Sequence, residues 1–378
     1  MIPLSLYIHW PFCKSKCPYC DFNSHVRDSI NEAAWQQALL YELEYWAAQT
    51  QGRRLASIFF GGGTPSLMPP ETTGALIASA KQVWNAPEDL EVTLEANPTS
   101  VEAGKLRDFK AAGVNRLSMG VQSLNDADLK SLGRQHSANE AMAAIETATG
   151  IFERFSFDLI YARMNQTVKQ WQAELQQALR FKPRHLSVYQ LTIEPGTQFH
   201  TLHQRGELVT PDEELGSALY GTTQDILEDA GLPAYEISNH AMQGQECRHN
   251  LTYWRYEDYV GIGPGAHGRV TVNNTKLATR THRAPEEWLE RALRDGHGLT
   301  EQTPVPISEQ RDEMLLMGLR LSEGISTEKL DAYGVTLNQN RLRTLEKHGL
   351  VQLTREKLIA TPEGRLRLNT LIAEIAAN

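Results

Sequence analysis

Through its first two-thirds the chain alternates short apolar runs with longer amphipathic stretches. Six runs have the length and residue types of strands: 4–10, 55–60, 91–96, 116–122, 155–160 and 185–191. Between them, 31–47, 102–112, 138–149 and 168–179 carry apolar residues at helical spacing. This alternation predicts a parallel sheet whose crossovers are the helices. Six β/α units are too few for a closed eight-stranded barrel, so the predicted core is α/β, an open, partial (β/α)6 barrel. Ligands should then sit at the C-terminal ends of the strands, where the βα loops converge.

The pattern changes after residue 210. A helix is predicted over 211–230 and a short strand over 234–238, and from 240 to 268 the chain is rich in His, Asn, aromatics and Gly without periodicity. Helices follow at 311–321, 326–333 and 337–348, then a hairpin of 350–353 with 357–360. Thr361 is placed as the N-cap of a last helix with Pro362 in its first turn. Helix, helix, hairpin and helix make a smaller, mainly helical, winged-helix-like domain. The expected division is 1–235 for the barrel core, 236–300 for a connecting segment and 301–378 for the C-terminal domain.

Composition narrows the function. The net charge is −9, and residues 301–378 hold ten Lys/Arg against eleven Asp/Glu, which argues against nucleic acid as a partner. The N-terminal residues lack a signal-peptide pattern, and no apolar run has the roughly 20 residues needed to span a bilayer. A cytoplasmic protein is expected.

Three of the four cysteines fall in Cys13-Lys14-Ser15-Lys16-Cys17-Pro18-Tyr19-Cys20, directly after the first predicted strand. In a reducing compartment this clustering reads as metal ligation. Three thiolates hold three irons of a 4Fe–4S cube and leave the fourth open to an exogenous chelate. A structural zinc would want four protein ligands, and only His9 and His25 lie near.

The C-x3-C-x2-C spacing, with an aromatic before its last cysteine, resembles the signature of the radical S-adenosylmethionine (SAM) superfamily. That resemblance implies a 4Fe–4S cluster on Cys13, Cys17 and Cys20, with SAM chelating the open iron. Gly61-Gly62-Gly63-Thr64-Pro65, Glu95-Ala96-Asn97-Pro98 and Gly120-Val121-Gln122-Ser123 end successive predicted strands and resemble the superfamily's SAM-binding loops. Together with Tyr7-Ile8-His9-Trp10-Pro11-Phe12-Cys13 and Asp158-Leu159-Ile160-Tyr161, they match the coproporphyrinogen dehydrogenase-like branch along nearly the whole chain. By carry-over, the SAM contacts are Tyr7, Tyr19, Gly62, Gly63, Thr64, Glu95, Gln122, Arg134 and Asp158.

One departure stands out. The branch continues strand five as D-L-x-x-G-L-P-x-Q, whereas this chain reads Asp158-Leu159-Ile160-Tyr161-Ala162-Arg163-Met164-Asn165-Gln166. Arg163 is expected to put a bulky side chain at the barrel mouth, to the detriment of SAM binding.

Within the branch, the dehydrogenases carry a further cysteine two positions after the third, where this chain has Phe22. C-x3-C-x2-C-D-F resembles the sister group, the HemW-type heme chaperones. His249-Asn250-Leu251-Thr252-Tyr253-Trp254 is similar to that group's H-N-x-x-Y-W motif. The resemblance implies heme ligation by His249, with His267 a second candidate and Cys247 a bystander. A His beside Tyr and Trp is equally at home in a packed aromatic cluster. The implied partners are heme and an apo-hemoprotein recipient such as a respiratory cytochrome, with transient contact to a recipient in the membrane; no oligomeric state is implied. The cluster and SAM would regulate oligomerisation or release. The alternatives are a coproporphyrinogen III dehydrogenase and a radical SAM enzyme acting on an unrelated substrate.

Overall fold

The computed structural model describes residues 2–376; Met1, Ala377 and Asn378, which fall within the predicted bounds 1–235 and 301–378, lie outside the described residues. The six predicted strands all form: β1 (Pro3–Trp10), β2 (Arg54–Gly62), β3 (Glu91–Ala96), β4 (Arg116–Gln122), β5 (Arg154–Tyr161) and β6 (His185–Gln190). They lie side by side in chain order and all run parallel. Both faces are covered, so the strands are apolar almost throughout; Leu4, Leu6, Ile8, Ile58, Phe60, Val92, Leu94, Leu117 and Phe157 are fully buried.

Local signals start the crossover helices. Asn31 accepts from the Ala34 N–H ahead of α1 (Glu32–Gln49). Ser137 with Glu140 and Thr167 with Gln170 form capping boxes for the helices Ala138–Ile151 and Val168–Leu179. Two further crossover helices, Pro70–Val83 and Asp126–Ser131, were not expected from the sequence.

The segment 236–300, expected as a connector, joins the same sheet. No strand spans 234–238; Ala234 makes an isolated bridge to His240, and the strand is instead β7 (Asn239–Ala241), antiparallel to β6. On the other edge β8 (Tyr259–Ile262) runs parallel to β1, and β9 (His267–Val272), β10 (Thr275–Thr281) and β11 (Leu299–Pro304) extend it as an antiparallel meander. The described residues thus build an eleven-stranded mixed sheet. Glu42 on α1 ties this addition down: its buried carboxylate accepts from the Gly263 and Gly298 N–H groups at 2.8 Å each and from the Trp288 indole at 3.0 Å.

The C-terminal part has its own core, including Met314, Leu315, Leu319, Leu330, Leu342, Leu358, Leu368 and Leu371. Its hairpin, Val351–Leu353 with Lys357–Ala360, pairs with Ile325–Ser326, as in a winged helix. Thr361 caps the Gly364 N–H at 3.0 Å, but the helix it starts stops at Leu366 and resumes at Leu368. Glu313 docks this part on the sheet by accepting from Tyr256 Oη at 2.6 Å and Arg269 Nη2 at 2.7 Å.

Candidate cluster site and the neighbouring aromatic cavity

The loop Cys13–Cys20 leaves the C-terminal end of β1 and closes one side of a cavity of about 570 Å³. Cys13, Cys17, Tyr19, Cys20, Gly62, Gly63, Thr64, Glu95, Gln122, Arg134 and Asp158 all line it. The ends of β1 to β5 therefore bring their loops to one place, as parallel strands in chain order require. Two sequence candidates lie elsewhere. Tyr7 and His249 line a second cavity of about 420 Å³.

The glycine loop packs directly on the cysteine loop. The Gly63 and Thr64 N–H groups donate to the Trp10 and Phe12 carbonyls at 2.7 and 2.8 Å. A Cβ on Gly63 would stand 2.7 Å from the Phe12 carbonyl oxygen, and one on Gly62, whose φ is +111°, would strike the His9 ring at 2.6 Å. Only glycine admits this approach. Two of the three sulfurs already receive hydrogen bonds, Cys13 from Thr64 Oγ1 and Cys17 from Arg134 Nη1, both at 3.4 Å. Burial raises the Cys13 and Cys20 thiols above their ordinary range.

Arg134 is fixed as a fork. Its Nη2 donates to Asn97 Oδ1 at 2.6 Å and to the Gly120 carbonyl at 2.7 Å, while its buried Nε has no partner. A fixed guanidinium in a cavity wall suits an anionic ligand such as a carboxylate. Two carboxyls line the same cavity. Burial, reinforced by Asp158, pushes Glu95 up to about 8, although the Gly62 N–H donates to it at 3.3 Å. Burial likewise lifts Asp158 to about 6, with Ser118 Oγ at 3.4 Å. Gln122 holds a φ of 72° beside a register shift between Met119 and Gln122, a strained backbone at the cavity wall. Gly120 inside the strand was the sequence signal for that irregularity.

A cube with its open iron fits this arrangement. It has three thiols on one loop, hydrogen-bond donors on two of them, a glycine cradle and a fixed guanidinium in the cavity wall. Among the described residues no three His, Cys, Asp or Glu side chains converge as around one ion. A cube, which takes its thiolates on separate irons, does not require that convergence.

Arg163 does not enter the cavity. It is 4% exposed and turns outward, donating from Nη2 to Glu174 Oε2 at 2.6 Å and Asp128 Oδ2 at 2.9 Å, and from Nη1 to the Ile160 carbonyl at 2.7 Å. The expected obstruction at the barrel mouth is therefore absent, because Glu174 on the following helix provides a buried counter-charge. Ala162, where the branch has glycine, adopts a φ of 59°. That conformation costs an L-residue about 1–2 kcal/mol, more than the added chain entropy of glycine. Ala162 is also buried in the main core, so a glycine there would give up about 0.8 kcal/mol of methyl burial as well as chain entropy. Ala162→Gly is accordingly expected to leave stability within about 1 kcal/mol of the parent, read as a nearly unchanged midpoint of urea unfolding at unchanged slope.

The second cavity is aromatic and lies beside the first. Asp21, Phe22, Gly62 and Glu95 line both, so these four residues form the partition. Phe22 is 57% exposed there. His249 forms part of the far wall, with its ring 5.0 Å from Phe59, 5.9 Å from Tyr253 and 6.3 Å from Tyr7. Burial, with Arg116 near, lowers it to about 3, so the imidazole is neutral. The Tyr7 hydroxyl pairs with His9 Nδ1 at 3.1 Å. His267 and Arg283 are further lining residues, His267 exposed, and no sequence signal had placed Arg283 there. Cys247 is fully buried and lines neither cavity; its Sγ lies 3.6 Å from Glu91 Oε1, and burial pushes its thiol up to about 12. Asn23 joins the cysteine loop to this cavity by donating from Nδ2 to the Pro264 and Arg283 carbonyls, both at 2.9 Å.

Comparison with known proteins follows the same lines. Residues 7–177 match the radical SAM superfamily and residues 308–367 the HemN C-terminal domain. The chain is 40% identical to the heme chaperone HemW of Escherichia coli over 88% of its length and 86% of that protein's. It is 36% identical to the heme chaperone HemW of Bacillus subtilis, covering 96% of both chains. The bovine radical S-adenosyl methionine domain-containing protein 1, mitochondrial, is 39% identical over 98% of this chain and 87% of the relative. Among solved structures, the coproporphyrinogen III oxidase HemN of Escherichia coli superposes with a TM-score of 0.81 at 22% identity, over 100% of this chain and 90% of that one, and thus shares the fold. With this level of identity over nearly its whole length, the chain belongs to the HemW family within the radical SAM superfamily.

Proposed function

We propose that this protein is a heme chaperone, which binds heme in the aromatic cavity and hands it to an apo-hemoprotein such as a respiratory cytochrome. The observation that carries the reading is the second cavity itself. It is walled by aromatic rings and a neutral histidine, and divided from the cluster cavity by Phe22, at the position where a dehydrogenase has a cysteine. A porphyrin is a flat apolar body with a metal at its centre and carboxylates at its edge. Tyr253, Tyr259 and Phe22 supply aromatic rings, His249 an imidazole and Arg283 a cation. The relatives named as heme chaperones support the same reading.

In the first cavity Cys13, Cys17 and Cys20 would hold the 4Fe–4S cluster, and Tyr19, Gly62, Gly63, Thr64, Glu95, Gln122, Arg134 and Asp158 would hold SAM. When bound, the cluster supplies one-electron chemistry. Arg134 would attract a carboxylate through its guanidinium charge in the cavity wall, and Glu95 would face a cationic group. Because burial holds Glu95 near 8, a cation must displace its proton. SAM affinity is therefore expected to weaken by roughly tenfold per pH unit on going from pH 8 to pH 6. Equilibrium dialysis on reconstituted protein measures this; a flat profile would remove Glu95 from the cation's surroundings.

Among the described residues no helix is long and apolar enough to cross a membrane. A cytoplasmic location, and passing contact with a membrane-bound recipient, belong to the proposal; the relatives include bacterial proteins and proteins named as mitochondrial. The test is transfer. Heme-loaded protein mixed with an apo-cytochrome should lose its heme band as the recipient's appears, while coproporphyrinogen III in the same anaerobic mixture stays unchanged. Consumption of that substrate with release of 5′-deoxyadenosine, and no transfer, would make the protein a dehydrogenase instead.

A further inference from the structure

Behind His249 lies a line of buried hydroxyls to which the proposed function assigns no role. Ser57 Oγ is 2.9 Å from His249 Nδ1 and donates to Ser5 Oγ at 2.8 Å. Ser5 Oγ in turn pairs with Thr252 Oγ1 at 2.8 Å, and Thr252 Oγ1 donates to the Arg248 carbonyl at 3.2 Å. Ser5 and Ser57 are fully shielded from solvent and Thr252 is 4% exposed. The four groups come from β1, β2 and the helix Arg248–Trp254, three elements locked together by the parallel pairing of β1 with β2 and the packing of that helix over the sheet.

A hydroxyl has one proton to give. Ser57 gives its proton to Ser5, so its oxygen meets Nδ1 as an acceptor, and Nδ1 must carry the hydrogen. In a neutral imidazole the other nitrogen then bears the lone pair. Nε2 has no hydrogen-bond partner among the described residues, and His249 lines the aromatic cavity. We infer that Ser57, held by Ser5 and Thr252, is a positioning residue that fixes His249 as the Nδ1–H tautomer, so that Nε2 presents its lone pair to a metal centre entering the aromatic cavity. The consequence for heme rests on the proposed function; the tautomer does not.

Metal-binding histidines usually donate their other N–H to a fixed acceptor, and losing that acceptor lowers metal affinity by about 10–100-fold. Here the acceptor is a serine polarised by a second serine, and the relay ends on a helix carbonyl. Without Ser57 the ring is free to change tautomer and to rotate between Phe59 and Tyr253.

The test uses the full chain, labelled with 15N-histidine and free of heme. Long-range 1H–15N correlation, assigned by difference from His249→Ala, reports which ring nitrogen is protonated. The expected result is a protonated Nδ1 and a bare Nε2, shifting toward a mixture of tautomers in Ser57→Ala. Ser5→Ala should shift it too, although it leaves the Ser57 contact in place, because Ser57 can then donate to Nδ1. An Nε2–H form in the wild type, or an unchanged pattern in both variants, overturns the inference. Heme titration separates it from the reading it rests on. A 10–100-fold loss of affinity in Ser57→Ala joins the two, whereas equal heme affinity of wild type and His249→Ala removes the heme reading and leaves the relay standing on its spectrum.

Discussion

With Cys13, Cys17 and Cys20 all replaced by serine, anaerobic reconstitution is expected to yield no iron–sulfur absorption and no bound iron, while the protein stays folded. The two halves of this expectation have separate causes. The cluster needs thiolate sulfur on three irons, and the one remaining cysteine, Cys247, is buried and does not line the cavity. The fold does not need the thiols. All three are only partly buried, none belongs to a hydrophobic core cluster, and their contacts from Thr64 and Arg134 are long ones to sulfur. Serine still accepts from both donors, so stability should change by less than about 1 kcal/mol. Iron analysis and unfolding curves read the two halves. Heme transfer by the same variant tests the regulatory role of the cluster: a rate equal to wild type would remove that role and leave the chaperone reading untouched.

Arg163→Ala is expected to cost about 3–5 kcal/mol of folding stability, the penalty for leaving a buried charge without its partner. Arg163 and Glu174 have side-chain exposures of 5% and 8%, and their contact is 2.6 Å. Glu174 also holds the start of the next loop: its Oε1 accepts from Ser123 Oγ at 2.5 Å and from the Leu124 N–H at 2.8 Å. Removing the arginine therefore strands a carboxylate directly behind Gln122, whose backbone is already strained. Replacing Glu174 by Gln in the same chain neutralises the stranded group. The double variant should be less destabilised than the sum of the two single ones, as expected for residues in direct contact. Additive losses would show that the pair is solvated in solution. Since a domain has only about 5–15 kcal/mol to lose, the single variant should also unfold at visibly lower urea.

The same ion pair marks the limit of what the sequence discloses. The six parallel strands were legible because each is an apolar run bounded by helical periodicity, and parallel strands buried on both faces read that way. The strands β7 and β8 were not, since three or four residues give too little pattern and their partners, His185–Ser187 and Ser5–Ile8, are distant in the chain. The cysteine loop and the glycine loop were legible by spacing and by position after strands. Arg163 was misplaced because its direction depends on Glu174, eleven residues on, with no local signal to pair them. Tyr7 was assigned to the SAM cavity by motif, yet alternation along β1 turns it toward His9 and the aromatic cavity. The partition between the cavities is invisible in one dimension, since Asp21 and Phe22 come from the cysteine loop, Gly62 from the end of β2 and Glu95 from β3.

On the proposed function, His249 belongs to a heme site rather than only to an aromatic core. The most direct measurement is the absorption spectrum of anaerobically reconstituted protein titrated with heme, wild type against His249→Ala, with coproporphyrinogen III assayed in the same preparation. The expected result is a stable heme band in the wild type, weakened in the variant, and no substrate turnover. Absence of a specific heme band, together with SAM-dependent consumption of the substrate, would contradict it.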